Sequence, residues 1–405
     1  MRTAVLVAPY AMPNTLRYVL ALCELPGVRP ALISADPPQR FPASIRERLA
    51  AFETVGNCFD GHALALATQR IAARTGGVDR LFGVLEQLQL PVAKARDLAG
   101  VPGMGAAVVH RFRDKSAMKQ ALRAAGVPCA RYARVEKAQD ALRFVDEVGL
   151  PIILKPVDGL GTRATFRVQT REELEVALAS LRPSRRNPLQ AEEFLVGSEH
   201  SFETVTIDGK PIWSSSTDYL PGPLEVMETP WIQYCVLLPR ETAGMERFRA
   251  VNHAALNALG MQTGLSHMEW FLRRDGSVAV NEVGARPPGV NIMPLMSHAH
   301  GVDFVRLWMR LMVLDQFTPP VRKRAAGAAF FRGQGKGTRV VAVHGVRQAQ
   351  EEVGRYVVEA SMPKVGQSRA EGYEGEGFAV VAADTTDEVR HALARLIRNV
   401  RVELG

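Results

Sequence analysis

Cysteine is scarce: Cys23, Cys58, Cys129 and Cys235 are scattered singly along 405 residues. That spacing argues against a disulfide framework or a zinc site and fits a reducing, cytoplasmic setting. No apolar run approaches the roughly 18 residues that read as a membrane span, so none is expected. The opening residues, MRTAVLVAPYAMPNTLRYVL, superficially resemble a secretory leader. Their apolar run is short, Pro13 and Asn14 follow it, and no small-residue cleavage site appears, so a strand, a loop and a helix are the better reading. Several chemical signatures are missing too. There is no G-x-x-x-x-G-K-[ST] phosphate loop, no G-x-G-x-x-G after the first strand and no G-x-S-x-G elbow. The basic stretches RPSRR (182–186) and VRKR (321–324) lack interleaved aromatics, so the net charge of +8 reads as solvated loops and a field that attracts anions, with no nucleic-acid partner expected.

What is present is the composition of an ordinary globular protein, 47% hydrophobic and 23% charged, long enough for about two to four domains. Over the first hundred residues or so, strand and helix signals alternate: TAVLVAP, NTLRYVLALCEL, RPALISADP. Such alternation implies a parallel sheet with crossover helices. A helix is expected from DKSAMKQALRAAGV, with Asp114 as its N-cap and Gly126 and Pro128 marking its end. Strand-rich segments follow at 150–168 and 189–217. The helix MERFRAVNHAALNALG, a hairpin and the helix GVDFVRLWMRLMVL come next, and the tail from about 320 mixes short strands with a closing helix. GQGKGT (333–338) reads as a basic turn and HAH (298–300) as helix-end histidines.

The hairpin, SHMEWFLRRDGSVAVNEVGARPPGVN (266–291), carries the chemistry. Asp275-Gly276 between apolar-rich runs is a strong hairpin signal. A loop of just those two residues pairs Arg273 with Val278, Phe271 with Val280, and Glu269 with Glu282. A three-residue loop would slip the register by one and separate the acids. Facing carboxylates about 4.5–5.5 Å apart at Cβ repel each other. A divalent cation between them turns that repulsion into coordination, in the way Mg²⁺ is held by one or two carboxylates and substrate phosphates. On the same face the two-residue alternation places His267, Gly284 and Arg286.

Two further stretches suit a nucleotide. Lys155, near the end of the strand PIILKP, precedes VDGLGTR, where Gly159 and Gly161 let backbone N–H groups approach phosphate oxygens. In AEEFLVGSEH (191–200), a strand leaves a sheet beside several acids, offering free backbone groups to a planar base and Glu199 to ribose hydroxyls.

In their order and spacing, DKSAMKQALRAAGVPCARY, PIILKPVDGLGTRA, AEEFLVGSEHSFE and HMEWFLRRDGSVAVNEVGARPPG resemble the ATP-grasp superfamily, most closely carboxylate–amine ligases of the L-amino-acid ligase type. Biotin carboxylase and formate-using glycinamide ribonucleotide transformylase are more distant likenesses. The resemblance implies an α/β and α+β multi-domain chain: a Rossmann-like pre-ATP-grasp domain over 1–112, an ATP-grasp domain over 113–318 with a lid at about 127–196, and a small α+β domain over 319–405. It also implies ATP and Mg²⁺ (or Mn²⁺), small-molecule acid and amine substrates, and a possible homodimer. By the same resemblance, Lys115 and Lys155 touch phosphates beneath a flap at Gly159 and Gly161. Glu192, Glu193 and Leu195 meet adenine, Glu199 the ribose, and Glu269 and Glu282 the metal. Arg286 steadies the transferred phosphate. RPPGVNIM (286–293) leaves the metal-bearing strand directly and is therefore expected to line the acceptor pocket. The chain departs from the family at Gly284, where an asparagine is usual, so a water, His267 or substrate would take that place. Carboxylase or formate-transfer activity, and nucleotide binding without turnover, are the alternative readings.

Overall fold

The computed structural model describes residues 1–157, 165–229, 232–241 and 245–405, with the side chains of 246 and 247 outside that description. The flap glycines Gly159 and Gly161 lie outside the described residues.

Strands β1 (Arg2–Val7), β2 (Val28–Ser34), β3 (Ala51–Thr54) and β4 (Arg80–Gly83) form an all-parallel sheet in the order β3-β2-β1-β4. Ala4 to Val7 and Ala31 to Ile33 are all fully buried, the continuous apolar signature of strands covered on both faces. The expected crossover helices are present, among them Pro13–Cys23 and Gly61–Thr75.

The helix Lys115–Ala124 starts where expected. Asp114 Oδ1 accepts from the N–H groups of Ser116 and Ala117, both at 2.9 Å. Met118 and Leu122, four residues apart, bury one side of it. Lys115 and Lys119, also four apart, are buried as well, pointing at strands that carry acids. Asp114→Ala is expected to cost about 1 kcal/mol through the lost cap, measurable as a lower urea midpoint.

Strands β5 (Tyr132–Val135), β6 (Ile152–Pro156), β7 (Phe166–Val168) and β8 (Leu189–Glu193) form a second, antiparallel sheet in the order β5-β8-β6-β7, inside the span read as a lid. The chain then continues through β9 (Gly197–Ile207), β10 (Lys210–Leu220), β11 (Tyr234–Leu238), β12 (Gly264–Arg273), β13 (Val278–Gly284) and β14 (Ala325–Phe331). It closes with β15 (Gly333–Gln334), β16 (Val340–His344), β17 (Val357–Ser361), β18 (Gly377–Ala383) and β19 (Arg401–Leu404). Eight of these build one sheet, β13-β12-β9-β10-β11-β14-β18-β17, so three strands from beyond residue 318 extend the sheet that bears the acids. β15, β19 and β16 form a small separate sheet.

One face of β9, β12 and β13 packs into a core of Phe202, Met268, Trp270, Val280 and Val283 against Met118, Leu122, Phe248 and Leu256. The other face is the floor of a cleft. β13 is an edge strand, and its backbone is covered: Val280 N–H donates to Pro128 O (2.8 Å) and Lys119 Nζ donates to Val280 O (3.0 Å).

Candidate active site

The hairpin turn differs from the sequence expectation. Arg273 N–H donates to Ser277 O and Gly276 N–H to Arg273 O, giving a three-residue loop, Arg274 to Gly276, with Gly276 left-handed at φ 80°. Near the turn Leu272 therefore faces Val278, Phe271 faces Ala279 and Trp270 faces Val280. A β-bulge then absorbs one residue on β13 between Val280 and Glu282, and the pairing becomes Glu269 with Glu282, Met268 with Val283 and His267 with Gly284. The loop adds one residue and the bulge at Asn281 takes it back, so the acids face each other after all. Such a bulge also re-aims a side chain, and Asn281 lines the cleft beside Glu282.

The cleft measures about 1660 Å³, more than one drug-sized ligand fills. Its walls include Lys115, Lys155, Glu192 to Leu195, Glu199, His267, Glu269, Glu282, Gly284 and every residue from Arg286 to Met293 except Ile292. Apart from Ile292, every described residue of the sequence-based site thus comes to one cavity.

The charges interlock. Lys155 Nζ lies 2.9 Å from Glu192, and Lys119 Nζ lies 3.4 Å from the same carboxylate. Burial alone would raise the Glu192 carboxyl, but Lys119 and Lys155 outweigh it and hold the pKa at about 2. Burial likewise pulls on the Lys155 ammonium, and Glu192, Glu282 and Glu269 overcome it and push its pKa above the usual lysine value. Lys115 Nζ sits 3.1 Å from Glu282, whose carboxyl Lys115 and Lys155 hold below the usual range against burial. Both lysines are thus braced by acids of the cleft.

Glu193 gives its carboxylate to Arg131 (2.9 Å) and Arg273 (3.2 Å). Glu199 is buried; a Cβ on Gly222 would stand 2.7 Å from its Oε2, so that glycine leaves it room. Gly284 needs no such explanation, because a Cβ there meets nothing nearer than 3.6 Å.

His267 is buried, with Nδ1 2.8 Å from Glu203 and Nε2 3.4 Å from Tyr219 Oη and 3.5 Å from Glu269. Burial would lower its pKa, but Glu203 and Glu269 raise it to about 9. Nδ1 is taken by Glu203, so Nε2 is the ring nitrogen turned toward Glu269. Among the described residues no group of three or more His, Cys, Asp or Glu is arranged to hold a metal. Glu269 and Glu282, each about a quarter exposed, are the facing acid pair.

Several site residues had no sequence signal. Glu86, following β4, takes Arg286 through Nε (3.0 Å) and Nη2 (2.5 Å) and also binds Arg113. Tyr219 and Tyr234 come from β10 and β11, and Tyr373 and Glu374 from the loop before β18. None stands in a motif; only chain topology brings them together.

Residues 114–203 match the family described as carbamoyl-phosphate synthase L chain, ATP binding domain, the stretch that supplies Lys115, Lys155, Glu192 and Glu199. Those residues carry an ATP-grasp domain, and the chain as a whole has the fold that goes with it. Over 100% of the chain and 99% of the other, the ATP-grasp fold overlays the crystal structure of L-amino acid ligase from Bacillus licheniformis with a TM-score of 0.78 at 19% identity. In sequence the chain is 26% identical over 259 residues to alanine–anticapsin ligase of Bacillus subtilis (strain 168), covering 58% of this chain and 54% of that one. It is 30% identical over 236 residues to D-alanine–D-alanine ligase of Frankia casuarinae, covering 54% and 60%. The chain thus matches little more than half the length of these two relatives. No helix among the described residues is long and apolar enough to cross a membrane.

Proposed function

We propose that the protein is an ATP-dependent carboxylate–amine ligase that forms an amide or peptide bond between small molecules. One observation carries the reading: Glu269 and Glu282 face each other on a cleft floor that also holds Lys115, Lys155 and Arg286. Glu269, Glu282 and the neighbouring Asn281 amide would hold Mg²⁺, and their oxygen donors fit that hard cation. When bound, Mg²⁺ would neutralise charge on the β- and γ-phosphates.

The chain's own residues then act by position and charge. Lys155 and Lys115 bind phosphate oxygens, exchanging contacts with Glu192 and Glu282 for contacts with the nucleotide. The backbone after Glu192 and the Glu199 carboxylate take adenine and ribose. A substrate carboxylate attacks the γ-phosphate, ADP leaves, and an acyl phosphate results. An amine attacks its carbonyl carbon, phosphate departs, and the amine loses a proton. Arg286 steadies the tetrahedral oxyanion and the phosphate, its guanidinium aimed by Glu86. The similarity to ligases named for alanine, anticapsin and D-alanine supports amino acids as substrates.

Screening pairs of L-amino acids and dipeptides for ADP and phosphate release, with mass spectrometry of the products, tests this. A product of mass acid plus amine minus water is expected. Bicarbonate-dependent release without such a product would point to a carboxylase instead, and no release across the panel would remove the ligase reading.

A further inference from the structure

The cleft has a polarity that the phosphoryl step does not use. Lys115, Lys155 and Arg286 stand around the acid pair. Beyond them the wall turns phenolic and acidic. Tyr234 is fully buried in that wall, its ring stacked with Phe330 (5.3 Å) and Tyr219 (6.4 Å) and met edge-on by Tyr373 (5.7 Å, 77°). Its Oη has no hydrogen-bond partner among the described residues. A buried hydroxyl left unpaired costs stability unless something else satisfies it, and Tyr234 is among the residues that line the cleft.

Tyr373, Glu199, Glu269 and Glu374 all push the pKa of this hydroxyl up, and Arg286, a cation that acts on the neighbouring Tyr373, is committed to Glu86. Arg17, Arg306 and Arg324 also line the cleft, but each is committed to another acid: Glu359, Glu24 and Asp384. Glu374 accepts one N–H, from Val290 at 3.1 Å, and among the described residues no basic side chain pairs with it. A carboxylate with a free oxygen, an orphaned phenol and a neighbouring aromatic ring together suit a small organic cation.

We propose that Glu374, Tyr234 and Tyr373 form a subsite for a primary ammonium group on a substrate. Glu374 supplies the counter-charge, Tyr234 Oη accepts a hydrogen bond, and the Tyr373 ring flanks the cation. Assigning the ammonium to a substrate rests on the ligase reading above; the group is either the amino group of the acid substrate or the amine substrate before deprotonation.

The test uses the full chain loaded with Mg²⁺ and a non-hydrolysable ATP analogue. Calorimetry compares the common L-amino acids with the same acids lacking the amino group. In the wild type, loss of the amino group should weaken binding roughly tenfold or more, the range of a hydrogen bond to a charged group. Glu374→Gln should erase that discrimination with nucleotide affinity unchanged, and Tyr234→Phe should reduce it several-fold. Equal binding of the des-amino acids, no amino-acid binding at all, or full discrimination retained in Glu374→Gln would overturn the subsite. The ADP-release screen runs beside it. Discrimination without turnover would sink the ligase reading and leave the subsite standing, and turnover with an indifferent Glu374→Gln would do the reverse. Where turnover is found, the substrate whose KM rises in Glu374→Gln is the one that carries the ammonium.

Discussion

Glu282→Gln should lower ADP release by about three orders of magnitude or more while leaving the fold intact, because catalysis of phosphoryl transfer is chiefly electrostatic and metal-assisted. The substitution is nearly isosteric and keeps an oxygen for Lys115 Nζ, which lies 3.1 Å from the native carboxylate, so Lys115 retains a partner. What it removes is one of the two facing negative charges. Two like charges in register repel, but Lys115 and Lys155 already favour the Glu282 charge in the metal-free fold. The variant should therefore be slightly less stable than the wild type without metal, yet still folded. Three readouts check this: ADP release, circular dichroism, and the dependence of ATP-analogue affinity on Mg²⁺ concentration. Wild-type turnover in the variant, or an unaltered Mg²⁺ dependence, would remove the metal assignment.

The second large effect concerns folding. Glu203 is fully buried and accepts from Ser201 Oγ (2.7 Å), Thr217 Oγ1 (3.0 Å) and His267 Nδ1 (2.8 Å). Glu203→Ala would strand a buried imidazolium and two hydroxyls, and breaking a buried pair from one side costs about 3–5 kcal/mol, a large share of a typical domain's stability. The same pair sets a pH dependence. The folded pKa of His267, about 9, lies above the ordinary histidine value of 6.5. Its contribution is present in full below pH 6.5 and is lost as pH rises through about 9; it amounts to at most about 3 kcal/mol. Urea denaturation without nucleotide or metal should show stability falling over that window in the wild type and a flatter profile in Glu203→Ala. Parallel profiles for the two proteins would mean that His267 is not the titrating group.

Local chemistry made some of this legible in the sequence. Asp114 before an amphipathic run can do little but cap, and the buried-strand composition of residues 4–7 fits a parallel sheet. The acid pair was legible too, though by a route that was incomplete. Asp-Gly is compatible with both two- and three-residue loops, and a bulge at Asn281 has no composition of its own, so the pairing near the turn could not be read. His267 was visible as a residue of the right face, but its charge state depends on Glu203, which lies on a different strand. Glu86, Tyr234 and Glu374 also lie outside the hairpin, on other elements of the chain. Their neighbourhood is a property of how the strands are ordered, and no spacing rule carries it.

The bulge at Asn281 has one further consequence. It divides the hairpin into an outer part, whose alignment answers to the turn, and an inner part, whose alignment answers to the acids. Peptide tags or lengthened loops spliced in at residues 274–276 should therefore be absorbed by the outer part, which makes that tip a place to attach a fluorophore or an affinity handle without disturbing turnover.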